Sequence, residues 1–304
     1  MKANVDTVEN MEDIEDRYEI HGFFDDGGYG DLYVGRDRVS GTKVAVKAQK
    51  PWRTGPLTFH RAEGEELAEE GVRMRALCGI ESIPRIITTG TYKENRCLVM
   101  EFVEGRQLRS VVSAAHPVKD PGTVASIVGQ LCEILWDVHS RQLVHCDLKP
   151  ENVIVRPDGH LCLIDMGHAV RIGEPTTREL GTPGYAPPEQ LSENSEGLTV
   201  RADIYALGCM LLEMTVLHLP YGAAERRARQ GQPVLPAGQH EAVPPEFRDL
   251  TLRMVRLAAE ERPADVREVF DGVRAYLPGQ GARRPVKPLT PDPTEYYRTR
   301  PPRL

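Results

Sequence analysis

"LVHCDLKPENVIV", residues 143–155, sets a carboxylate (Asp147), an ammonium (Lys149) and a carboxamide (Asn152) close together, just before an apolar "VIV". Asp147 can accept a proton or orient a hydroxyl. Lys149 can offset the charge of a transferring phosphoryl group, and Asn152 offers an amide oxygen to a hard cation. A little further on, "CLIDMG" ends an apolar run on a second carboxylate, Asp165, followed closely by a glycine. Magnesium takes oxygen ligands, commonly a carboxylate or two beside substrate phosphates, and Asn152 with Asp165 suits that pattern. Any one of these residues alone reads as a cap or a turn. Together and in this order they read as a site.

Upstream, "DDGGYGDLYVG" (25–35) is a glycine-rich turn between two strand-like runs. Gly27, Gly28 and Gly30 would let backbone N–H groups approach phosphate oxygens, although a plain hairpin gives the same pattern. Lys47 closes the apolar "VAVK", and an ammonium on a buried strand needs an anionic partner. "YEIHGFF", "GDLYVGRD", "TKVAVKAQ", "IPRIITTGTY" and "RCLVMEFV" read as strands, interrupted by one helix over "RAEGEELAEEGVRMRALCG". After Gly105 the period becomes helical. "TVASIVGQLCEILWDVHSRQ" is amphipathic, and "RADIYALGCMLLEMTV" is apolar nearly all round, as a buried helix should be. A strand-rich first third and a helical remainder predict an α+β protein of two lobes, with a cleft near residues 101–105.

These motifs resemble the eukaryotic-type (Hanks) protein kinase family from about Tyr18 to Leu277, and the flavour of "GTPGYAPPEQ" resembles its bacterial members. The resemblance implies a bilobal fold: a first lobe over 18–100, a hinge at 101–105 and a second lobe over 106–277. "GGYGDLYV" is similar to the family's phosphate-covering loop, and Lys47 to the lysine that holds the α and β phosphates. Its helix partner is then Glu70, with Glu66 as the runner-up. Met100 falls at the gatekeeper position, and Glu101 and Val103 where backbone groups bind adenine. Leu32, Ala45 and Ile154 complete the nucleotide contacts. "HCDLKPEN" resembles the catalytic loop, with Asp147 as base and Lys149 beside it. "DMG" stands for the metal-binding motif, so Asn152 and Asp165 would hold magnesium, with manganese as the other candidate. "GTPGYAPPE" resembles the end of the activation segment. Asp203 would anchor the catalytic loop, and Arg262 would pair with Glu189. Lys149 and Thr182 indicate a serine/threonine kinase using ATP on a protein substrate, with autophosphorylation expected at an exposed Thr176 or Thr177.

Departures qualify the match. Asp25 replaces the first loop glycine, and a carboxylate facing phosphates would cost nucleotide affinity unless it points outward. Cys146 stands where regulated members carry an arginine that reads an activation-segment phosphate. Activity is therefore expected not to depend strongly on that phosphorylation. The alternatives are a pseudokinase scaffold, favoured only by Asp25, and a small-molecule kinase, disfavoured by "GTPGYAPPE" and "DIYALG".

The remaining features set bounds. With 304 residues, 40% hydrophobic, the chain can build a large core. It has no apolar run long enough for a membrane span and no apolar signal core. Six scattered cysteines without a CxxC pair suit a reducing cytoplasm. The net charge of −7 argues against nucleic-acid partners. Residues 1–17 form an acidic head, and the basic, proline-rich tail 278–304 is expected to be extended or flexible, with a partner of its own as the alternative.

Overall fold

The computed structural model describes residues 11–27, 30–51, 57–112, 116–176, 179–192, 197–222, 234–236 and 238–304, with the backbone alone for 24–27 and 57–63. The chain divides into two compact units, Met1–Val103 and Glu104–Leu304. The division falls inside the stretch read from sequence as a hinge.

The first unit is an antiparallel sheet in the order β1-β2-β3-β5-β4. Its strands are β1 (Tyr18–Gly27), β2 (Gly30–Asp37), β3 (Lys43–Ala48), β4 (Ile86–Tyr92) and β5 (Asn95–Glu101). Strand alternation sorts β3 into two faces. Val44, Val46 and Ala48 pack with Tyr18, Tyr92, Cys97 and Val99, leaving Ala45 and Lys47 on the other face, where Lys47 stands opposite Leu98 in register. Helix α1 (Leu57–Ala76) carries Leu67, Glu70 and Met74, all buried. The acidic head is not solvated throughout. Ile14 is buried in the β3 core, and Thr91 N–H donates to Glu12 O at 2.9 Å, so the head from residue 11 joins the sheet. One isoleucine supplies the anchor, while the carboxylates around it stay at the surface.

The second unit is mainly helical: α2 (Leu108–Val111), α3 (Pro121–Ser140), α4 (Arg201–Val216), α5 (Arg248–Met254), α6 (Val266–Val273) and α7 (Thr294–Thr299). Asp120 caps α3 by accepting from Thr123 N–H at 2.7 Å, and Pro121 opens the helix. Short strands form two small sheets; sequence marks the apolar stretch ending at Asp165 as a strand and leaves the others unmarked. One joins β6 (Arg106–Gln107), β8 (Val153–Val155) and β9 (Leu161–Leu163), and the other pairs β7 (Leu143–Val144) with β10 (Val170–Arg171). Two- and three-residue strands are too short to show a period.

The tail corrects the sequence reading: residues 278–304 fold onto the second unit. Tyr296, Tyr297 and Thr294 are buried. A side chain at Gly129 of α3 would place its Cβ 2.9 Å from the Tyr297 hydroxyl, so glycine opens the notch that the tyrosine fills. The basic residues meet carboxylates: Arg303 reaches Asp137 at 2.8 Å and Glu133 at 3.3 Å, and Arg284 reaches Asp292 at 3.2 Å. Composition averages over a segment, and here two tyrosines and complementary charges outweigh it. Tyr297→Ala is expected to cost about 3–5 kcal/mol, as for other buried aromatics, lowering the thermal midpoint of the second unit by roughly 10 °C. A fall of less than about 2 °C would mean that the tail is undocked in solution.

Candidate active site

In the first unit Lys47 and Glu70 form a buried pair. The ammonium donates to both carboxylate oxygens, at 2.9 and 2.8 Å. Helix periodicity puts Glu70 on the same inward face as Met74, which is why Glu70 is the partner. Gly27 stands opposite Gly30 across β1 and β2, and Gly28 lies outside the described residues. A Cβ at Gly30 would sit 2.6 Å from Ala48 O, so strand packing alone already demands glycine there. Leu32 faces Lys47 in register, and Ala45 faces Met100. Met100 is buried, whereas Glu101 is exposed and its N–H donates to Arg85 O at 2.9 Å. Val103 follows, half-buried. The Asp25 side chain lies outside the described ones.

The second unit holds the remaining polar residues. Asp203, fully buried in the first turn of α4, accepts from His145 N–H at 2.8 Å, Cys146 N–H at 2.9 Å and the His139 ring at 2.9 Å. Burial opposes its charge, but the His139 bond and the His145 contacts hold its carboxyl below the usual range. This fixes the loop 145–149 from beneath. Cys146 takes a left-handed φ of 65°, and its carbonyl accepts from Gln190 Nε2. Its side chain joins Val144, Leu180, Leu198 and Ala202 in an apolar cluster.

Asp147 is the hub. Thr182 donates its hydroxyl to Oδ1 at 2.6 Å, while Lys149 Nζ and Asn152 Nδ2 donate to Oδ2 at 2.8 and 2.9 Å. Lys149 also donates to Thr182 Oγ1 at 2.6 Å, closing a ring of three residues. Burial would raise the Asp147 pKa, but the His168 ring, the Lys149 ammonium and the Thr182 hydroxyl together hold the carboxyl well below the carboxylate range. Asn152 turns its amide nitrogen to Asp147, which leaves the carbonyl oxygen as its ligating end. Asp165 follows β9 with a left-handed φ of 68°, its carboxylate accepting from Gly167 N–H at 3.0 Å. Ile154 sits half-buried on β8. A carboxylate and an amide oxygen are the donors a hard divalent cation takes, so Asp165 and Asn152 fit magnesium.

Arg262 makes the bidentate pair with Glu189, at 2.6 and 3.0 Å, and donates to three backbone carbonyls. Thr176 is half-buried rather than exposed, and Thr177 lies outside the described residues. One network escapes sequence reasoning. Arg109 donates to Glu151 at 2.6 Å, Glu213 at 2.7 Å and the Tyr185 hydroxyl at 2.6 Å, joining α2, the turn Pro150–Asn152, the segment after Thr182 and α4. Its members are spread over a hundred residues, and no local pattern marks them.

A family model described as protein kinase domain matches residues 18–271. The chain is 29% identical over 296 residues to "Serine/threonine-protein kinase pkn2" of Myxococcus xanthus, covering 88% of this chain and 34% of that protein. It is 30% identical over 268 residues to "Serine/threonine-protein kinase Pkn1" of the same organism, covering 83% and 37%. With "Serine/threonine-protein kinase PrkC" of Bacillus subtilis the identity is 26% over 280 residues, covering 86% and 42%. The chain thus spans about a third to two-fifths of the length of these relatives.

Proposed function

Because the chain belongs to the protein kinase domain family, we propose that it is a serine/threonine protein kinase, transferring the γ-phosphoryl group of ATP to hydroxyls of a protein substrate. The observation that carries this reading is the ring of Asp147, Lys149 and Thr182, with Asp147 held as the carboxylate. Asp147 orients the acceptor hydroxyl and takes its proton, and Lys149 offsets charge on the phosphoryl oxygens. Lys47, aligned by Glu70, holds the α and β phosphates. The backbone around Gly27, Gly28 and Gly30 covers them, and Leu32, Ala45, Met100, Glu101, Val103 and Ile154 contact the base. Magnesium, with manganese as a substitute, when held by Asp165 and Asn152 supplies charge neutralisation across the phosphates. Positioning and electrostatics then provide most of the catalysis. No described helix is long and apolar enough to cross a membrane. None of the six cysteines forms a disulfide, which supports a reducing, cytoplasmic setting.

The test is intact-mass spectrometry after incubation with Mg·ATP and a generic protein substrate, beside Asp147→Asn. Phosphate added by the wild type alone supports the reading. Phosphate added by neither chain, together with no detectable ATP binding, removes it in favour of a scaffold.

The apolar cluster around Cys146 extends the proposal to regulation. A thiol packed among Val144, Leu180 and Leu198 offers no cation to an activation-segment phosphate. Thr176→Ala combined with Thr177→Ala is expected to keep activity within about tenfold of wild type, less than the loss of one strong charge-assisted contact set. A larger loss in a steady-state assay would show that one of these threonines is a required phosphosite.

A further inference from the structure

The tail that closes the second unit reaches the far end of the hairpin whose near end carries both proposed metal donors. β8 and β9 pair in register from Val153↔Leu163 to Val155↔Leu161. Beyond the last pair, Ile164 N–H donates to Asn152 O at 2.8 Å, so the backbones of Asn152 and Asp165 emerge side by side. The hairpin has three residues per strand, too few to hold its own geometry in water. Its shape depends on what grips it.

The grip comes from α3 and the tail. Gln130, buried on α3, donates to Gly159 O at 3.1 Å and to Pro293 O at 3.0 Å, and accepts from Leu161 N–H at 2.9 Å. One side chain thereby ties the hairpin turn to the tail. His160 of the turn stacks on Tyr296 with ring centroids 5.0 Å apart. Gly159 takes a φ of 78°, and any side chain there would strike Asp292 O. Arg106 of β6, paired with Val155 of β8, donates to Thr290 O at 3.1 Å. The opposite end of the tail is fastened to α3 by Arg303, whose N–H donates to Glu133 at 2.7 Å.

We propose that residues 282–304 are a positioning strap for the donor pair Asn152 and Asp165, acting through Gln130 and the β8–β9 hairpin. The proposal rests on the kinase reading of that pair. The strap lies beyond the family match, which ends at residue 271. It works as supports behind metal ligands do, by fixing where the ligating oxygens stand.

The test uses the full chain, with Mn2+ as the metal probe and ADP as the nucleotide. Mn2+ binding to the protein–ADP complex is read by electron paramagnetic resonance, and amide hydrogen exchange is followed in parallel. Gln130→Leu is expected to weaken Mn2+ binding about tenfold, the usual cost of a lost support behind a metal ligand. Exchange over 153–163 should quicken while α4 keeps its protection. His160→Leu, which removes the ring stacked on Tyr296, should give the same pattern in milder form and stands in if Gln130→Leu does not fold. Arg303→Ala releases the far end of the strap and should weaken Mn2+ binding in the same direction, less than Gln130→Leu does. Wild-type Mn2+ affinity in Gln130→Leu and His160→Leu overturns the proposal, as does a loss accompanied by faster exchange throughout the unit, α4 included. A wild type that binds no Mn2+ with ADP removes the kinase reading itself, a result distinct from either.

Discussion

Asp147→Asn is expected to lower phosphoryl transfer by about a thousandfold, within the range for losing a positioned acid–base group. The wild-type carboxylate accepts from Lys149, Asn152 and Thr182 on its two oxygens. An amide offers one acceptor and one donor, so one end must confront groups that donate. The variant therefore loses both the proton acceptor and the alignment of Lys149 and Thr182. Asp147 is held below the usual carboxylate range, which fixes the sign of two pH effects. A depressed carboxyl lends stability that is present above its unfolded value of about 4, and this is lost as pH falls through the native value. Acid unfolding of Asp147→Asn should then be less steep below about pH 4 than that of the wild type. Between about pH 5 and 8 Asp147 stays charged, so an inflection in wild-type turnover there belongs to another group. Turnover within tenfold of wild type, measured by radiolabel transfer, would contradict the assignment of Asp147 as base.

The second large effect concerns Lys47 and Glu70. Lys47→Met leaves a buried carboxylate without its partner and is expected to cost about 3–5 kcal/mol. In a unit of about a hundred residues that lowers the midpoint by 10 °C or more. Replacing both, as in Lys47→Met with Glu70→Leu, should restore most of the stability, since apolar side chains often match or better a buried ion pair. Phosphoryl transfer should stay abolished in both variants, because both lack the ammonium that the proposed function sets on the phosphates. The comparison thus separates stability from activity: recovery of the midpoint without recovery of transfer is the expected pair of results. Recovered transfer in the double variant would sink the phosphate role of Lys47.

Much of this arrangement is legible in the chain itself. The period-two runs mark β1 to β5, and "RADIYALGCMLLEMTV" spans α4 from Arg201 to Val216. Lys47, Asp147, Lys149 and Asp165 stand out as charges beside apolar text, and Asn152 as a carboxamide just before "VIV". That a helix glutamate should pair with Lys47 comes from the family resemblance, and helical spacing favours Glu70 over Glu66 for it, as the structure has it. Less is legible where residues distant in sequence meet. Arg109 gains its meaning from Glu151, Tyr185 and Glu213, and nothing around position 109 announces them. The tail misleads for a related reason, because proline and arginine dominate its composition while "EYY" at 295–297 supplies the anchor. Ile14 plays the same part in the acidic head.

The cysteine beside Asp147 carries a wider implication. Residue 146 is held by its main chain, through an N–H on Asp203 and a carbonyl on Gln190, in a left-handed turn. Its side chain packs in an apolar cluster with Val144, Leu180, Leu198 and Ala202. A larger or charged side chain at residue 146 would therefore have to displace that cluster, while the main-chain bonds that hold the loop need no particular side chain.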